Sequence, residues 1–383
     1  MLNLKSKKIV LVHDYLKEYG GAERVLKALH EIWPQAPIYT IFWKKNSPAG
    51  KAFAEAKIIQ SWFGYLPFCD RLISPLRFFI PLIWKSFDFS GYDLVISSAS
   101  WAITKGFTKG KTKEICYCHT PPRYLYGFET SRNWQQNPLV RIYAAVINFF
   151  MRQYDFRQAQ KVTVFVANSR EVQKRIAKFY RRESVVINPP VEIPNSKFQI
   201  PNKFQINSKF QIKDYYLTGG RLERAKNFDL IIRVFNKLGW PLKIYGRGSQ
   251  EKYLRQLASK NIEFLGWISE EEKWRLLAGC KAFVCAATDE DFGITPVEAQ
   301  AAGRPVIAFR GGGYLETVVE GKTGIFFDKL TVEDLISALR RYDDTYHHII
   351  KPEDCRRQAK KFSEEEFKRK MLKLVRRINA GIT

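Results

Sequence analysis

At 383 residues the chain is too long for one ordinary core and fits two domains of roughly 150–200 residues each. A hydrophobic content of 45%, with nine Trp, 18 Tyr and 28 Phe, excludes a disordered chain. The formal charge of +25 requires a polyanion or an anionic surface: nucleic acid, a phosphate-bearing substrate, or the anionic inner leaflet of a membrane.

The basic residues are spread along the whole length. The densest group, Arg356 to Arg377, is interleaved with Glu364, Glu365 and Glu366 and reads in part as a solvated helix face. Six cysteines without a C-x-x-C pair form neither a disulfide framework nor a zinc site, so they are expected as packed, reduced thiols. The opening MLNLKSKK is too short and too soon charged for a signal peptide. No uncharged apolar run approaches the ~18 residues that span a bilayer. The expectation is a cytoplasmic protein, at most peripheral on the inner face of the cell membrane.

In chain order, Ile9–His13 is a β-branched run, followed by a Gly20-Gly21 turn and a helical pattern from Ala22 to Ile32. Leu94–Ser97, Glu114–Cys118, Val162–Ala167 and Val185–Ile187 are further strands. Continuous apolar strands separated by helix-length segments predict a parallel sheet covered on both faces. The segment Trp62 to Trp84 is aromatic and basic, and its prolines break any single long helix. It is either packing between helices or an interfacial surface reaching a lipid-linked acceptor.

From Asn195 to Ile212 the chain repeats NSKFQI, PNKFQI and NSKFQI, a unit too short for a solenoid. A slipped duplication tolerated in a loop is the preferred reading over an interaction arm. The α/β pattern then restarts. Tyr215–Thr218, Leu242–Tyr245, Ile262–Phe264, Ala282–Ala286 and Pro305–Phe309 are strands, and Phe228, Ile231, Ile232 and Phe235 mark a helix. The fold class is therefore α/β, with two Rossmann-like doubly wound domains facing across a cleft and chemistry beyond the strands' carboxyl ends. The boundaries are 1–188 for the first domain and 189–363 for the second, with a C-terminal helix at about 364–383 packing back on the first.

The most informative stretch is AATDEDFGITPVEAQAAGRPVIAF, residues 286–309. Thr295, Pro296 and Glu298 stand at N-cap, N1 and N3 spacing, which spells a capping box. That leaves Glu290 without a task. The spacing Glu290-x7-Glu298 resembles the signature of family 4 retaining glycosyltransferases of the GT-B fold. The resemblance implies that Glu298 binds the donor ribose and that Glu290 lies near the transferred sugar. A carboxylate can accept from two vicinal hydroxyls, so capping and ribose binding are compatible readings of Glu298. The amides of Phe292, Gly293, Ile294 and Thr295, at a helix start, could donate to sugar hydroxyls and phosphate. Asp289-Glu290-Asp291 also fits the metal-holding Asp-x-Asp pattern, but its place inside the Glu-x7-Glu block argues against a metal.

GGRLERAKNFDLII, residues 219–232, resembles the same family's second motif, which implies that Arg221 and Lys226 hold the donor diphosphate. Tyr245-Gly246-Arg247-Gly248 could border the base pocket, and Gly312-Gly313-x-x-Glu316 resembles a segment near the sugar. In the first half, HDYLKEYGGA (13–22) resembles the family's glycine-rich loop, with Gly20 and Gly21 near donor phosphate or acceptor. ICYCHTPPRYLY (115–126) puts His119 beyond a strand, where the family's His contacts the transferred sugar. With SGYDLVISS, ANSR and INPPVE, these segments look like bacterial mannosyltransferases of surface polysaccharide assembly. Leu125-Tyr126-Gly127 departs from that subgroup, which has an acidic residue here, and this leaves sugar and acceptor open.

The resemblance implies a retaining hexosyltransferase, mannose favoured and GDP-mannose a candidate donor, acting on a glycan or lipid-linked acceptor in cell-envelope polysaccharide synthesis. It implies no cofactor and no metal, with catalytic roles for His119, Glu290, Arg221 and Lys226 and peripheral membrane contact as an open prospect. An epimerase or phosphorylase on the same fold is the alternative. A nucleic-acid-binding protein is disfavoured by scattered charge and the lack of a recognisable motif.

Overall fold

A computed structural model describes residues 7–129, 137–193 and 214–381. The repeat segment at 195–212 lies outside them. The chain divides into two compact units, Met1–Pro190 with Glu365–Thr383, and Val191–Glu364.

The first unit holds seven strands: β1 (Ile9–His13), β2 (Ile38–Thr40), β3 (Ile58–Gln60), β4 (Leu94–Ala99), β5 (Lys113–Cys118), β6 (Val164–Ala167) and β7 (Ser184–Val186). They form one parallel sheet in the order β3-β2-β1-β4-β5-β6-β7. Val10, Leu11 and Val12 are fully buried, as strands covered on both faces require. The C-terminal helix Glu364–Asn379 buries Phe367, Met371, Val375 and Ile378 against the face that carries Leu11, Ile96 and Ile115. Lys113 Nζ donates to the Ile378 carbonyl at 2.9 Å.

The second unit holds β8 (Tyr216–Gly219), β9 (Leu242–Tyr245), β10 (Ile262–Gly266), β11 (Phe283–Cys285), β12 (Val306–Phe309) and β13 (Gly324–Phe327). Its parallel sheet runs β10-β9-β8-β11-β12-β13. Helix Phe228–Leu238 lays Phe228, Ile231, Ile232 and Phe235 on the core, the face set by their spacing, and ends at Gly239 in the left-handed region (φ 69°).

Three strands lie outside the sequence-based expectation. β2 and β3 have three residues each, too few for a periodic signal, and β13 is a four-residue run. All six cysteines are unbridged and buried, and burial raises the Cys116 thiol well above its ordinary value. Among the described residues no helix is long and apolar enough to cross a membrane.

Candidate active site

In each sheet the chain leaves one central strand in both directions, and such switch points are where doubly wound sheets bind ligands. In the second unit the switch lies between β8 and β11. β8 ends at Gly219, and beyond it come Gly220 (φ 124°), the exposed Arg221 and a tight turn, Arg224–Lys226. Asn227, itself left-handed at φ 52°, closes the turn. Its Nδ2 donates to the Ala286 carbonyl at 2.8 Å and to Thr288 Oγ1 at 3.1 Å, fastening this turn to the loop beyond β11.

Lys226 Nζ then reaches Glu290 Oε2 in an ion pair and hydrogen bond. Residues 64 positions apart, drawn from two separate motifs, thus meet at one point. The Tyr314 hydroxyl donates to the same carboxylate oxygen at 3.3 Å, and the Gly313 N–H donates to the Glu290 carbonyl at 2.8 Å. Gly312 and Gly313 lie so close to the loop that a Cβ at Gly312 would stand 2.4 Å from the Glu290 carbonyl oxygen. A Cβ at Gly246 would meet the Gly220 oxygen at 1.8 Å, so Tyr245-Gly246-Arg247-Gly248 packs backbone to backbone on the Arg221 turn.

The capping expectation is corrected. The helix runs Ile294–Ala301, its N-cap is Gly293 at φ 92°, and Thr295 lies inside the first turn. A glycine at the cap has no side chain to accept, and Glu298 is engaged by a lysine of another helix. Its Oε1 accepts from Lys273 Nζ at 2.9 Å, both side chains being almost fully buried. Lys273, on helix Glu270–Gly279, also pairs with Glu270 at 2.6 Å. No sequence signal linked Lys273 to Glu298. Phe292 is buried against Phe362, Val297 and Ala301, which anchors the loop ahead of Gly293, Ile294 and Thr295.

In the first unit the switch lies between β1 and β4. His13 ends β1, Ser98 is on β4, and His119 follows β5. Ser98 Oγ is 3.1 Å from His13 Nδ1 and 2.9 Å from His119 Nε2. His13 Nε2 faces Glu23 Oε1 at 3.5 Å, and Glu23 Oε2 accepts from the Gly20 N–H at 2.8 Å. Burial works to raise the Glu23 carboxyl, but His13 and the Gly20 amide outweigh it and hold it below its ordinary value. Burial, aided by His13, pushes His119 down to about 3, so it works as a neutral imidazole. This Glu23–His13–Ser98–His119 chain was not legible in sequence, because its members come from four elements.

Gly20 is the N-cap of helix Gly21–Ile32 with φ −121°, and its amide is engaged by Glu23. The turn therefore does not draw on glycine's left-handed freedom. Among the described residues no group of three or more His, Cys, Asp or Glu side chains is gathered as a metal site.

The family described as Glycosyl transferases group 1 matches residues 199–362. The alpha-1,3/1,6-mannosyltransferase ALG2 of Dictyostelium discoideum is 30% identical over 295 residues, 66% of this chain and 68% of the relative. The mouse ALG2 is 26% identical over 348 residues, 80% of each chain. Among solved structures, Anabaena HepE in complex with UDP and glucose superposes with a TM-score of 0.70 at 17% identity, covering 96% of this chain and 99% of that one. The sucrose-phosphate synthase of Thermosynechococcus elongatus gives 0.71 at 16% identity, covering 98% and 100%. With two parallel doubly wound sheets and a relative 30% identical over 68% of its own length, the chain is a member of the group 1 glycosyl transferases and has the GT-B fold.

Proposed function

We propose that this glycosyltransferase moves a mannosyl residue from a nucleotide diphosphate sugar, GDP-mannose by preference, to a hydroxyl of a glycan or lipid-linked acceptor of the cell envelope. The observation that carries the reading is the meeting of Lys226 and Glu290 at the β8/β11 switch point. Similarity to two ALG2 mannosyltransferases supports the sugar.

On this reading Arg221 and Lys226 face the diphosphate and stabilise the charge that builds on it as the glycosidic bond breaks. Glu298 takes the ribose hydroxyls. Glu290 and the 292–295 amides orient the sugar, and no metal is needed. The first turn of helix Ile294–Ala301 leaves amides without intrahelical acceptors, which suits a hydroxyl or phosphate. The configuration is retained by front-face attack, since Glu290 is already engaged by Lys226 and Tyr314 as a positioning group. In the first unit, neutral His119 is the residue we assign to a sugar hydroxyl.

Thermal denaturation with GDP-mannose, UDP-glucose, UDP-GlcNAc, ADP-glucose and mannose 1-phosphate tests the donor. A ligand at a hundred times its Kd stabilises by about 2.7 kcal/mol, which reads as several degrees. GDP-mannose alone should raise Tm. A shift with the sugar phosphate and none with the nucleotide sugars would turn the reading to a phosphorylase.

A further inference from the structure

The long helix Pro138–Lys161 is built inside out. Its buried positions are Ala144, Asn148, Met151, Asp155 and Ala159, so two of five inward side chains are polar. Its outward face is apolar over the first three turns, with Leu139 76% exposed, Ile142 62% and Phe150 63%, joined by Val146 and Phe149. A helix on a water-soluble surface shows the reverse pattern. The inward polar groups are occupied: Asn148 Oδ1 accepts from Arg77 Nε at 3.0 Å, and Asp155 pairs with the buried Lys105.

The segment Trp62 to Trp84 lies beside this helix. The Tyr143 hydroxyl donates to the Pro75 carbonyl, and the Arg77 guanidinium sits 5.6 Å from the Tyr143 ring centre. The segment is broken into short turns that bury Phe63, Ile73, Ile80, Ile83 and Trp84, while Tyr65 (77%), Phe68 (65%) and Leu82 stay outside. Core packing and an exposed aromatic surface thus coexist in it. Scattered exposed apolar residues are ordinary, but Leu139, Ile142, Val146, Phe149 and Phe150 recur at helical spacing on one side of a single helix, and such a set marks a contact surface.

The charge on this face selects its occupant. The helix carries Arg141, Arg152, Arg157 and Lys161, all exposed, and its one acid is the buried Asp155. Between Trp62 and Lys85 the one acid is Asp70, which is held by Lys17 at 2.9 Å. Apolar and aromatic groups flanked by cations alone fit the headgroup boundary of an anionic bilayer. A second copy of the chain would set the same cations against one another.

We infer that helix Pro138–Lys161 and the Tyr65–Leu82 surface form a peripheral docking face for a lipid bilayer carrying anionic headgroups. The inference rests on the proposed lipid-linked acceptor for its purpose, but vesicle binding is read without donor or acceptor, so the two readings fail separately.

The test is co-sedimentation of the full chain with vesicles of phosphatidylcholine, with and without phosphatidylglycerol. Binding should require the anionic lipid and weaken from 0.1 to 1 M salt, as the screening length falls from about 10 to 3 Å. The variant R141E/R152E should lose about thirtyfold or more in vesicle affinity, at roughly fivefold per surface cation. The variant F149S/F150S should lose about tenfold or more while keeping the wild-type Tm, since both rings are solvent-exposed. Equal binding to neutral vesicles, no binding to either, or a vesicle-independent dimer that F149S/F150S dissolves would each overturn the inference.

Discussion

Lys273 Nζ donates to Glu298 Oε1 at 2.9 Å in the interior of the second unit, and Gly293 holds the N-cap position that spacing assigns to Thr295. The carboxylate is therefore aimed by a buried lysine on a neighbouring helix, and the N-cap beside it is a glycine. A cap would fix it to its own helix. The lysine instead fixes it from a neighbouring one, which holds the carboxylate in place for the proposed ribose role.

Glu298→Gln separates these roles. Losing a charge-assisted bond to a donor ribose costs about 1.5–3 kcal/mol, or roughly ten- to a hundredfold in donor affinity. Lys273 keeps Glu270 as a partner, so Tm should fall only modestly. Calorimetric titration with the donor reads the first and thermal unfolding the second. A large Tm loss with unchanged donor affinity would make Glu298 structural.

The Lys226–Glu290 pair gives a different signature. Lys226 is about a third exposed, so the pair contributes little to stability. Lys226→Ala and Arg221→Ala should each lower kcat by roughly 10²–10³ if these cations stabilise the departing diphosphate. Their Tm values should stay near wild type. Turnover within a few fold of wild type in both variants would remove them from the reaction.

Gly312→Ala tests whether the Glu290 loop needs its present place. The position has φ 54°, and the added Cβ would lie 2.4 Å from the Glu290 carbonyl oxygen and 3.1 Å from its nitrogen. Neither atom belongs to a flexible side chain, so the loop must shift. The left-handed backbone alone costs an alanine about 1 kcal/mol. A lower Tm together with weakened donor binding is expected. Gly91→Ala, where nothing lies within 4 Å of the added Cβ, is the control and should change neither.

Much of this architecture is legible in sequence because parallel strands buried on both faces are continuous apolar runs, as Ile9–Val12 and Val306–Phe309 are. β2 and β3 are three-residue runs and escape notice, while β7, equally short, stands out because Val185 and Val186 run on into Ile187. Lys226 and Glu290 stand out through short-range motifs, yet their contact is tertiary and visible only in the fold. Lys273 lies 25 residues before Glu298 on another helix, and no local rule joins them. Helix Pro138–Lys161 is hidden for the opposite reason: apolar residues outside and Asn148 and Asp155 inside invert the pattern by which surface helices are recognised. The capping box fails because Ser/Thr-x-x-Glu spacing names a geometry that the left-handed Gly293 pre-empts.

Glu114 supplies a pH test of the first unit. Its carboxyl is buried on β5, taking Ser97 Oγ at 2.7 Å and the Gly106 and Phe107 amides at 2.9 and 2.7 Å. Burial outweighs these donors and Lys105, and pushes it up to about 7 from 4.5. The folded state then binds the proton more tightly than the unfolded chain does. Stability from this group is full below about pH 4.5 and declines as pH rises through about 7. At about 1.4 kcal/mol per pH unit, the loss is on the order of 3 kcal/mol. Glu114→Gln keeps the shape and the acceptor for the two amides and has no proton to lose. In urea titrations at pH 5 and pH 8, the wild type should lose midpoint concentration at the higher pH relative to the variant. Parallel losses in both proteins would show that Glu114 is already ionised at pH 5, with its three donors outweighing its burial.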